Sequence, residues 1–143
     1  MVRADLTNKE RLDFLTKGQT KLLRLAVAET DGTPHVSSVW YLFRDGYFYI
    51  STTNERKKVK IIRKNPKVAL IVDTDILPYK GVIVEGRAEL TTKNLKEITL
   101  EIVKKYVPPK YVKGQLEDLM RYPRILIKVK PEKSLDIMSY KRC

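Results

Sequence analysis

The 143-residue sequence contains a single cysteine, Cys143, and a single histidine, His35. One cysteine cannot form an internal disulfide, and these two residues cannot supply the ligands of a tetrahedral zinc site. No stretch approaches the roughly 20 apolar residues that a membrane-spanning helix needs, and the charged N-terminal segment lacks the apolar core of a signal peptide. These absences predict a cytoplasmic protein without a metal site. Cys143 is interpreted as inert and His35 as an ordinary strand residue.

Acidic residues are scarce relative to basic ones. The chain has 29 Lys and Arg against 17 Asp and Glu, a formal net charge of +12 and a pI near 9.8. This balance is compatible with nucleic acid, with an anionic small molecule, or with a solvated lysine surface. A hydrophobic fraction of 43% at this length predicts one folded domain over residues 1–143.

Three β signals follow one another in the N-terminal half. Leu22–Glu29 ends at an Asp31-Gly32 turn, His35–Phe43 ends at an Asp45-Gly46 turn, and Tyr47–Thr52 follows. Asp-Gly turns between β-branched and aromatic runs predict an antiparallel meander. Further strands are predicted at Lys67–Asp73, Val82–Leu90, Ile125–Lys130 and Leu135–Tyr140.

Helices are predicted between these strands. Thr7–Lys17 carries a capping-box pattern, with Thr7 or Asn8 as the cap and Glu10 near the third helical position. Gly86, inside a predicted strand, indicates a bulge or the close approach of another backbone. Short strands joined by tight turns and helices predict a mainly β protein, a small β-barrel with two to four flanking helices. The other predicted helices are Glu55–Lys64, Thr92–Lys105 and Tyr111–Met120.

The segment from Ser51 to Pro66 reads STTNERKKVKIIRKNP and predicts a strand end, a turn and a helix capped by Thr53 or Asn54. Helix N-termini favour acidic residues, yet Arg56-Lys57-Lys58 place three cations in the first turn. Each such cation costs about 0.3–1 kcal/mol if it is exposed. A phosphate held by backbone N–H groups, the lysines and the Ser51 and Thr52 hydroxyls would reverse that cost. A solvated helix face is the alternative interpretation.

The ordered set of these elements resembles the pyridoxamine 5′-phosphate oxidase-related family of flavin-binding split barrels. The resemblance runs through DGTPHVSSVWYLFRDGYFYIST, RKKVKIIRKNPKVAL and KGVIVEGRAEL, from about Leu22 to Leu90, with a looser echo in ILIKVKPEK. It implies a split barrel of six or seven antiparallel strands that binds FMN. It also implies a homodimer with the cofactor at the subunit interface.

The resemblance also implies positions for the cofactor contacts. The flavin phosphate would be held by Thr52, with Ser51 beside it, and by the basic pair Lys57-Lys58. A further contact is expected at Lys80 or Gly81, in the loop before the fifth strand. The ring would lie along the second strand, at Ser37, Ser38, Val39 and Trp40. Adjacent strand residues point to opposite faces, so at most one of the two serine side chains faces a ring unless the strand bulges. Packing in the core is an equal alternative for Trp40.

Two departures limit what the resemblance implies. The oxidase itself carries basic residues on its second strand, where this chain has Ser37 and about Leu42, and its C-terminal Arg-x-His element has no counterpart in Leu135–Cys143. The expectation is therefore an FMN-dependent oxidoreductase that transfers hydride through the flavin to an unassigned small-molecule substrate, with no catalytic residue identified. A deazaflavin-dependent reductase on the same fold is the first alternative. A flavin carrier without turnover and a basic nucleic-acid-binding protein are the others, although no RNA-recognition or helix-turn-helix signature is present.

Overall fold

The computed structural model describes residues 6–18, 20–77 and 79–138, with side chains described as far as residue 136. These ranges hold seven β-strands, four α-helices and one 3₁₀ turn. In chain order they are α1 (Asn8–Thr16), β1 (Leu23–Ala28), β2 (Pro34–Val39), β3 (Leu42–Arg44), β4 (Tyr47–Thr53), α2 (Lys57–Lys64), β5 (Lys67–Asp73), β6 (Lys80–Thr91), α3 (Leu95–Tyr106), the 3₁₀ turn (Pro109–Tyr111), α4 (Val112–Leu119) and β7 (Arg124–Met138). No helix in the described ranges is long and apolar enough to cross a membrane.

All seven strands form one antiparallel sheet in the order β2-β1-β5-β6-β7-β4-β3. The two outermost strands, β2 and β3, are joined in the chain by only Trp40 and Tyr41. Two residues cannot span a flat seven-stranded sheet, whose neighbouring strands lie about 4.8 Å apart. The sheet therefore curls until its edges approach each other. This confirms the predicted split-barrel fold.

The predicted strand His35–Phe43 is wrong as a single element, because the structure divides it into β2 and β3. The two Asp-Gly hairpins, β1–β2 and β3–β4, are confirmed, with Gly32 and Gly46 at φ values of 92° and 84°. The division occurs where the Tyr41 ring enters the core and its hydroxyl donates to the Leu15 carbonyl, at 2.7 Å. The meander is therefore interrupted at the edge of the barrel.

The apolar core fills the concave side of the sheet. Helix α2 packs against β1 and β6 and contributes Val59, Ile61 and Ile62 to this core. The Asn65 amide, just beyond α2, donates to the Ala28 carbonyl at 3.0 Å and ties the helix to β1. Full burial of one such side chain stabilises the fold by about 1.5–3 kcal/mol. A second, smaller cluster lies between α3 and the opposite side of β4 and β7; its buried members are Tyr49, Ile98, Ile102 and Leu126.

Gly86 sits where β6 and β7 change register. The register shifts between Glu85 and Gly86, and a Cβ at Gly86 would collide with the Lys130 carbonyl oxygen. Both predicted explanations of this glycine, a bulge and a close backbone approach, are confirmed. The last two predicted strands are instead one continuous strand, β7, with Pro131 paired opposite Gly86 at the irregularity. The end of the predicted strand Leu135–Tyr140, and Cys143, lie outside the described residues.

Candidate functional site

Helix α2 begins with cations and without a side-chain cap. Arg56 is its N-cap residue, no side chain caps the helix, and its first turn contains no acid. The predicted cap at Thr53 or Asn54 is therefore wrong. The chain makes a turn first, in which the Arg56 N–H donates to the Thr53 carbonyl at 3.2 Å. Lys57 and Lys58 consequently occupy the first two helical positions, where backbone N–H groups have no helical partner.

Three cations gather near this helix start. Burial lowers the pKa of the half-buried Lys58 ammonium, and the charge of Arg56 lowers it further. The pKa of Arg124, at the start of β7, is lowered by the same two causes in the same order. Among the described residues, none of the three forms an ion pair, and Glu55 lies instead near Lys60, at 3.8 Å. The cluster of Arg56, Lys58 and Arg124 is thus a centre of positive charge that the described carboxylates leave uncompensated.

Sequence reasoning missed Arg124. Its guanidinium donates to the Ser51 hydroxyl at 3.1 Å and to the Ser51 carbonyl at 3.0 Å, with a third bond to the Leu119 carbonyl at 3.3 Å. Pairing of β4 with β7 places Arg124 opposite Thr53. Nothing in the local sequence joins positions 51 and 124, so only the strand register reveals the contact.

Ser51 and Thr52 point to opposite faces of β4. The Ser51 hydroxyl lies 2.8 Å from the Thr99 hydroxyl of α3, on the outer side of the sheet. Thr52 is 5% exposed and shares the concave face with the core residues Phe48 and Ile50. The structure therefore does not bring the two predicted hydroxyls to one side, and Ser51 is engaged by α3 and Arg124.

Strand β2 offers backbone groups and one unsatisfied hydroxyl. As the terminal strand of the described sheet, it pairs with β1 along only one edge. Ser37 lies opposite the core residue Leu25, and its buried oxygen has no hydrogen-bond partner among the described residues. Ser38 points outward and is exposed, whereas Val39 packs against the core. As expected, the two serines face opposite sides.

A second unsatisfied buried oxygen, Oδ1 of Asn54, lies in the turn between β4 and α2. In the β3–β4 hairpin, Leu42 pairs with Tyr49. If the same pairing continued beyond the start of β3, Ser37 would lie opposite Asn54. Strand β2 departs from that register and pairs with β1 instead. An unpaired buried polar atom costs about 1–3 kcal/mol. The cations at the start of α2 fit a polar anionic ligand, such as the phosphate-bearing part of a flavin, whereas the Asn54 oxygen requires a hydrogen-bond donor.

The remaining predicted contacts lie elsewhere. The Trp40 ring stacks on Tyr106, with ring centres 5.0 Å apart and planes 4° from parallel. Lys80 and Gly81 begin β6 and line a cavity of about 390 Å³. The other end of β6, at Thr91, pairs with Leu126, two residues from Arg124. Thr91 lies eleven positions after Lys80, roughly 35 Å along an extended strand. Within one chain, the structure does not bring Lys80 and Gly81 to the start of α2.

Structural comparison finds proteins of the same fold whose names refer to different cofactors. An F420 reductase is 24% identical, covers 85% of this chain and 94% of its own, and has a TM-score of 0.66. A FAD-binding protein from Mesorhizobium loti is 26% identical, covers 92% of each chain and has a TM-score of 0.66. A heme storage protein from Vibrio cholerae is 15% identical, covers 93% of this chain and 95% of its own, and has a TM-score of 0.73.

Sequence comparison is more specific about the family. No curated protein matches the sequence. The family model described as pyridoxamine 5′-phosphate oxidase matches residues 8–136, which span every described element from α1 to the greater part of β7. The chain belongs to the pyridoxamine 5′-phosphate oxidase family.

Proposed function

We propose that this protein binds FMN and acts as a flavin-dependent oxidoreductase on a small-molecule substrate in the cytoplasm. One observation carries the proposal: the uncapped start of α2 adjoins three cations that no described carboxylate neutralises. A phosphate would supply both the missing helix cap and the missing negative charge. Membership of the family supports a flavin as the molecule that bears this phosphate.

Each part of the site has a distinct role in this proposal. The N–H groups and ammonium groups of Lys57 and Lys58 bind the phosphate, and Arg56 and Arg124 strengthen the positive potential around it. The free edge of β2 offers backbone donors and acceptors from Ser37 to Trp40 to the polar edge of the ring. Thr52 would contribute its nearly buried hydroxyl from the other face of β4.

A bound flavin would supply hydride and electron transfer, chemistry that no amino-acid side chain provides. The residues of this chain would bind and orient the cofactor and shield it from water. The Trp40 ring packs on Tyr106, so at the junction between β2 and β3 the backbone of Trp40, rather than its ring, would contact the flavin. The proposed catalytic function therefore rests on binding and positioning by the protein.

A homodimer is part of the proposal, because the predicted contacts lie too far apart in one chain. Lys80 and Gly81 would meet the ligand of a second copy, with the cofactor at the subunit interface. Exposed apolar side chains support a partner: Val36 on β2 is 67% exposed, and Ile76 and Leu77 beside the Lys80 loop are 59% and 49% exposed. Ile76 and Leu77 are neighbours in the chain, and clustered exposed apolar groups are typical of interaction surfaces.

A deazaflavin coenzyme is the second candidate ligand. The similar fold of an F420 reductase favours it, and the anion site at α2 would serve either phosphate-bearing cofactor. The choice between them depends on the ring rather than on the phosphate.

The test is a pair of fluorescence titrations of the purified protein, one with FMN and one with the deazaflavin coenzyme. Saturation with about one FMN per subunit is the expected result. Binding of deazaflavin alone would keep the anion site and replace the cofactor. If neither ligand binds while DNA or RNA binds in a salt-sensitive manner, the basic helix is a nucleic-acid surface and the proposal fails. Binding of FMN without reduction by any tested donor would indicate a flavin carrier.

A further inference from the structure

Lys105, near the end of α3, is a half-buried amine outside the proposed flavin site. Its Nζ donates to the Tyr41 carbonyl at 3.1 Å and lies 3.3 Å from the centre of the Tyr41 ring and 5.1 Å from that of Tyr106. Lys105 forms no ion pair within the described part of the chain. Its neighbour Lys104 is exposed and pairs with Glu101 at 3.5 Å, so the two lysines form a natural matched pair.

A cavity of about 200 Å³ opens at the Lys105 side chain. A water molecule occupies about 30 Å³ of liquid volume, so the cavity accommodates a molecule of several non-hydrogen atoms. None of the described residues that line it is acidic, and three are lysines. The three lysines are Lys17, Lys21 and Lys105, and Leu15 and Tyr41 also line the cavity.

The geometry around Nζ leaves one direction for the cavity. Of the four tetrahedral directions, one is the bond to Cε, one is the N–H that donates to the Tyr41 carbonyl, and one lies over the Tyr41 ring. The fourth is the third N–H of the ammonium or, in the neutral amine, the lone pair. A neutral Lys105, which lines the cavity, would therefore have its electron pair in the direction that neither contact with Tyr41 occupies.

Burial, and then repulsion by Lys21, lower the pKa of Lys105 to about 8. At pH 7 such an amine is neutral about one-tenth of the time, whereas an ordinary lysine with a pKa near 10.4 is neutral about 0.04% of the time. The lysines around the cavity also favour an anion beside the Lys105 amine. Lys21, whose own pKa burial lowers, lies at the cavity wall and donates to the carbonyls of Phe14 and Lys17 at 2.8 and 3.3 Å.

The other charged and titratable groups around Lys105 do not supply an acid there. Lys17 pairs with Asp13 at 3.2 Å, on the exposed side of α1. The Tyr41 hydroxyl donates to the Leu15 carbonyl, and burial raises the pKa of this hydroxyl, so it stays protonated. The Tyr106 hydroxyl, whose pKa burial raises to about 12, donates to the Lys21 carbonyl at 2.6 Å.

We propose that Lys105 is a nucleophilic amine that forms a reversible imine with a small carbonyl compound bearing a carboxylate, the class of the oxo acids. The neutral amine attacks the carbonyl carbon and a C–N bond forms. The carbonyl oxygen then leaves as water, taking up one proton from the amine and one from solvent, and a protonated imine with a C=N bond remains; loss of its N–H proton to solvent gives the neutral imine. No oxidant or reductant is required, and hydrolysis reverses the reaction. The positive wall of the cavity binds the carboxylate.

The test is reductive trapping of the full-length protein with glyoxylate and cyanoborohydride at pH 7, followed by peptide mapping. Cyanoborohydride delivers hydride to the imine carbon and fixes the adduct as a secondary amine. The expected result is one major adduct at Lys105, at least tenfold above Lys104, with a rate that rises as the pH approaches 8. Propionaldehyde, which lacks the carboxylate, should label Lys105 several-fold more slowly.

Two variants complete the test. Lys105→Arg keeps a cation over Tyr41 but cannot form the imine, so the adduct should disappear while the circular dichroism spectrum is unchanged. Lys104→Arg should leave the trapping rate unchanged. Even labelling of Lys104, Lys105 and other surface lysines in the wild-type protein would overturn the proposal, and this result does not depend on any variant folding. Equal rates with glyoxylate and propionaldehyde would overturn the carboxylate preference. Neither result bears on flavin binding.

Discussion

The N-termini of α1 and α2 satisfy the same physical requirement in opposite ways. At α1 the Thr7 hydroxyl accepts the Glu10 N–H at 3.1 Å, and the Glu10 carboxylate accepts the Thr7 N–H at 3.1 Å. The hydrogen bond from the Thr7 backbone lowers the pKa of Glu10, which keeps this cap negatively charged. At α2 the corresponding position is Arg56, followed by two lysines, and no side chain caps the helix.

At α1 the N-terminal backbone donors are satisfied by side chains of the same helix, whereas at α2 no side chain satisfies them. The capping box of α1 satisfies backbone donors within the chain and places an acid at the positive end of the dipole. The start of α2 adds like charge at that end, at a cost of about 0.3–1 kcal/mol for each exposed cation. An arrangement that costs stability and accumulates positive charge is typical of an anion-binding site. The predictions that follow test this interpretation.

The largest effect on FMN affinity is expected from removing both lysines at the start of α2. Lys57→Ala with Lys58→Ala should weaken FMN binding about 100-fold, because charge-assisted hydrogen bonds are among the strongest polar contacts. The matched control is Arg63→Ala with Lys64→Ala, which removes the same charge from the last turn of the same helix. We expect this control to weaken binding less than about fivefold, through long-range charge alone. Equal losses in the two double variants, measured by fluorescence titration, would show that general charge rather than position binds FMN.

A smaller loss of FMN affinity, together with a gain in stability, is expected from Arg56→Ser. The substitution removes a cation from the site and introduces a good N-cap residue, so α2 would resemble α1. FMN binding should weaken about tenfold, while the free energy of unfolding rises by about 1 kcal/mol. Urea denaturation without ligand measures the second effect. A gain in stability with unchanged FMN affinity would remove Arg56 from the proposed site.

The reciprocal change at α1 should affect stability alone. Thr7→Ala removes the capping hydroxyl and should lower the free energy of unfolding by about 1 kcal/mol. FMN affinity should remain within about twofold of the wild-type value, since the cap of α1 takes no part in the proposed site. A large loss of affinity in this variant would contradict the division between the two helix starts.

The smallest expected effect is the change with pH in the preference for FMN over riboflavin. The preference for FMN over riboflavin should rise as the phosphate loses its second proton near pH 6, and fall at alkaline pH as Lys58 loses its charge. Because burial lowers the pKa of Lys58, this fall begins below the pH at which an ordinary lysine titrates. Bound phosphate favours the charged lysine, so FMN binding should be accompanied by proton uptake on the alkaline side. Lys58→Arg, which stays charged, should abolish the alkaline fall measured by titration at several pH values.

The sequence predicted those parts of the fold whose signals are local. Asp-Gly turns, alternating strands and the Thr7–Glu10 box each depend on residues a few positions apart, and all are confirmed. The division of His35–Phe43 was not predictable, because its aromatic and β-branched residues continue through Trp40 and Tyr41 without a turn residue. Only closure of the barrel makes the chain leave one edge of the sheet for the other.

The candidate site was predictable in part for the same reason. Lys57 and Lys58 follow from the run of cations at a predicted helix start. Arg124 did not, because its contact with Ser51 depends on pairing between strands 73 residues apart in the chain. The cap at Arg56 was also missed, since arginine carries no capping signal and Thr53 and Asn54 do. The positions of Ser37, Lys80 and Gly81 in a cofactor site remain predictions.

Comparison of FMN with riboflavin in isothermal titration calorimetry of the wild-type protein tests the central claim most directly. The two ligands share the ring and the ribityl chain and differ in the phosphate. If the uncapped, cationic start of α2 is a phosphate site, FMN should bind about 100-fold more tightly than riboflavin, and the difference should shrink with added salt. Equal affinities would contradict the account, because they would show that this helix start contributes nothing to the binding of the cofactor.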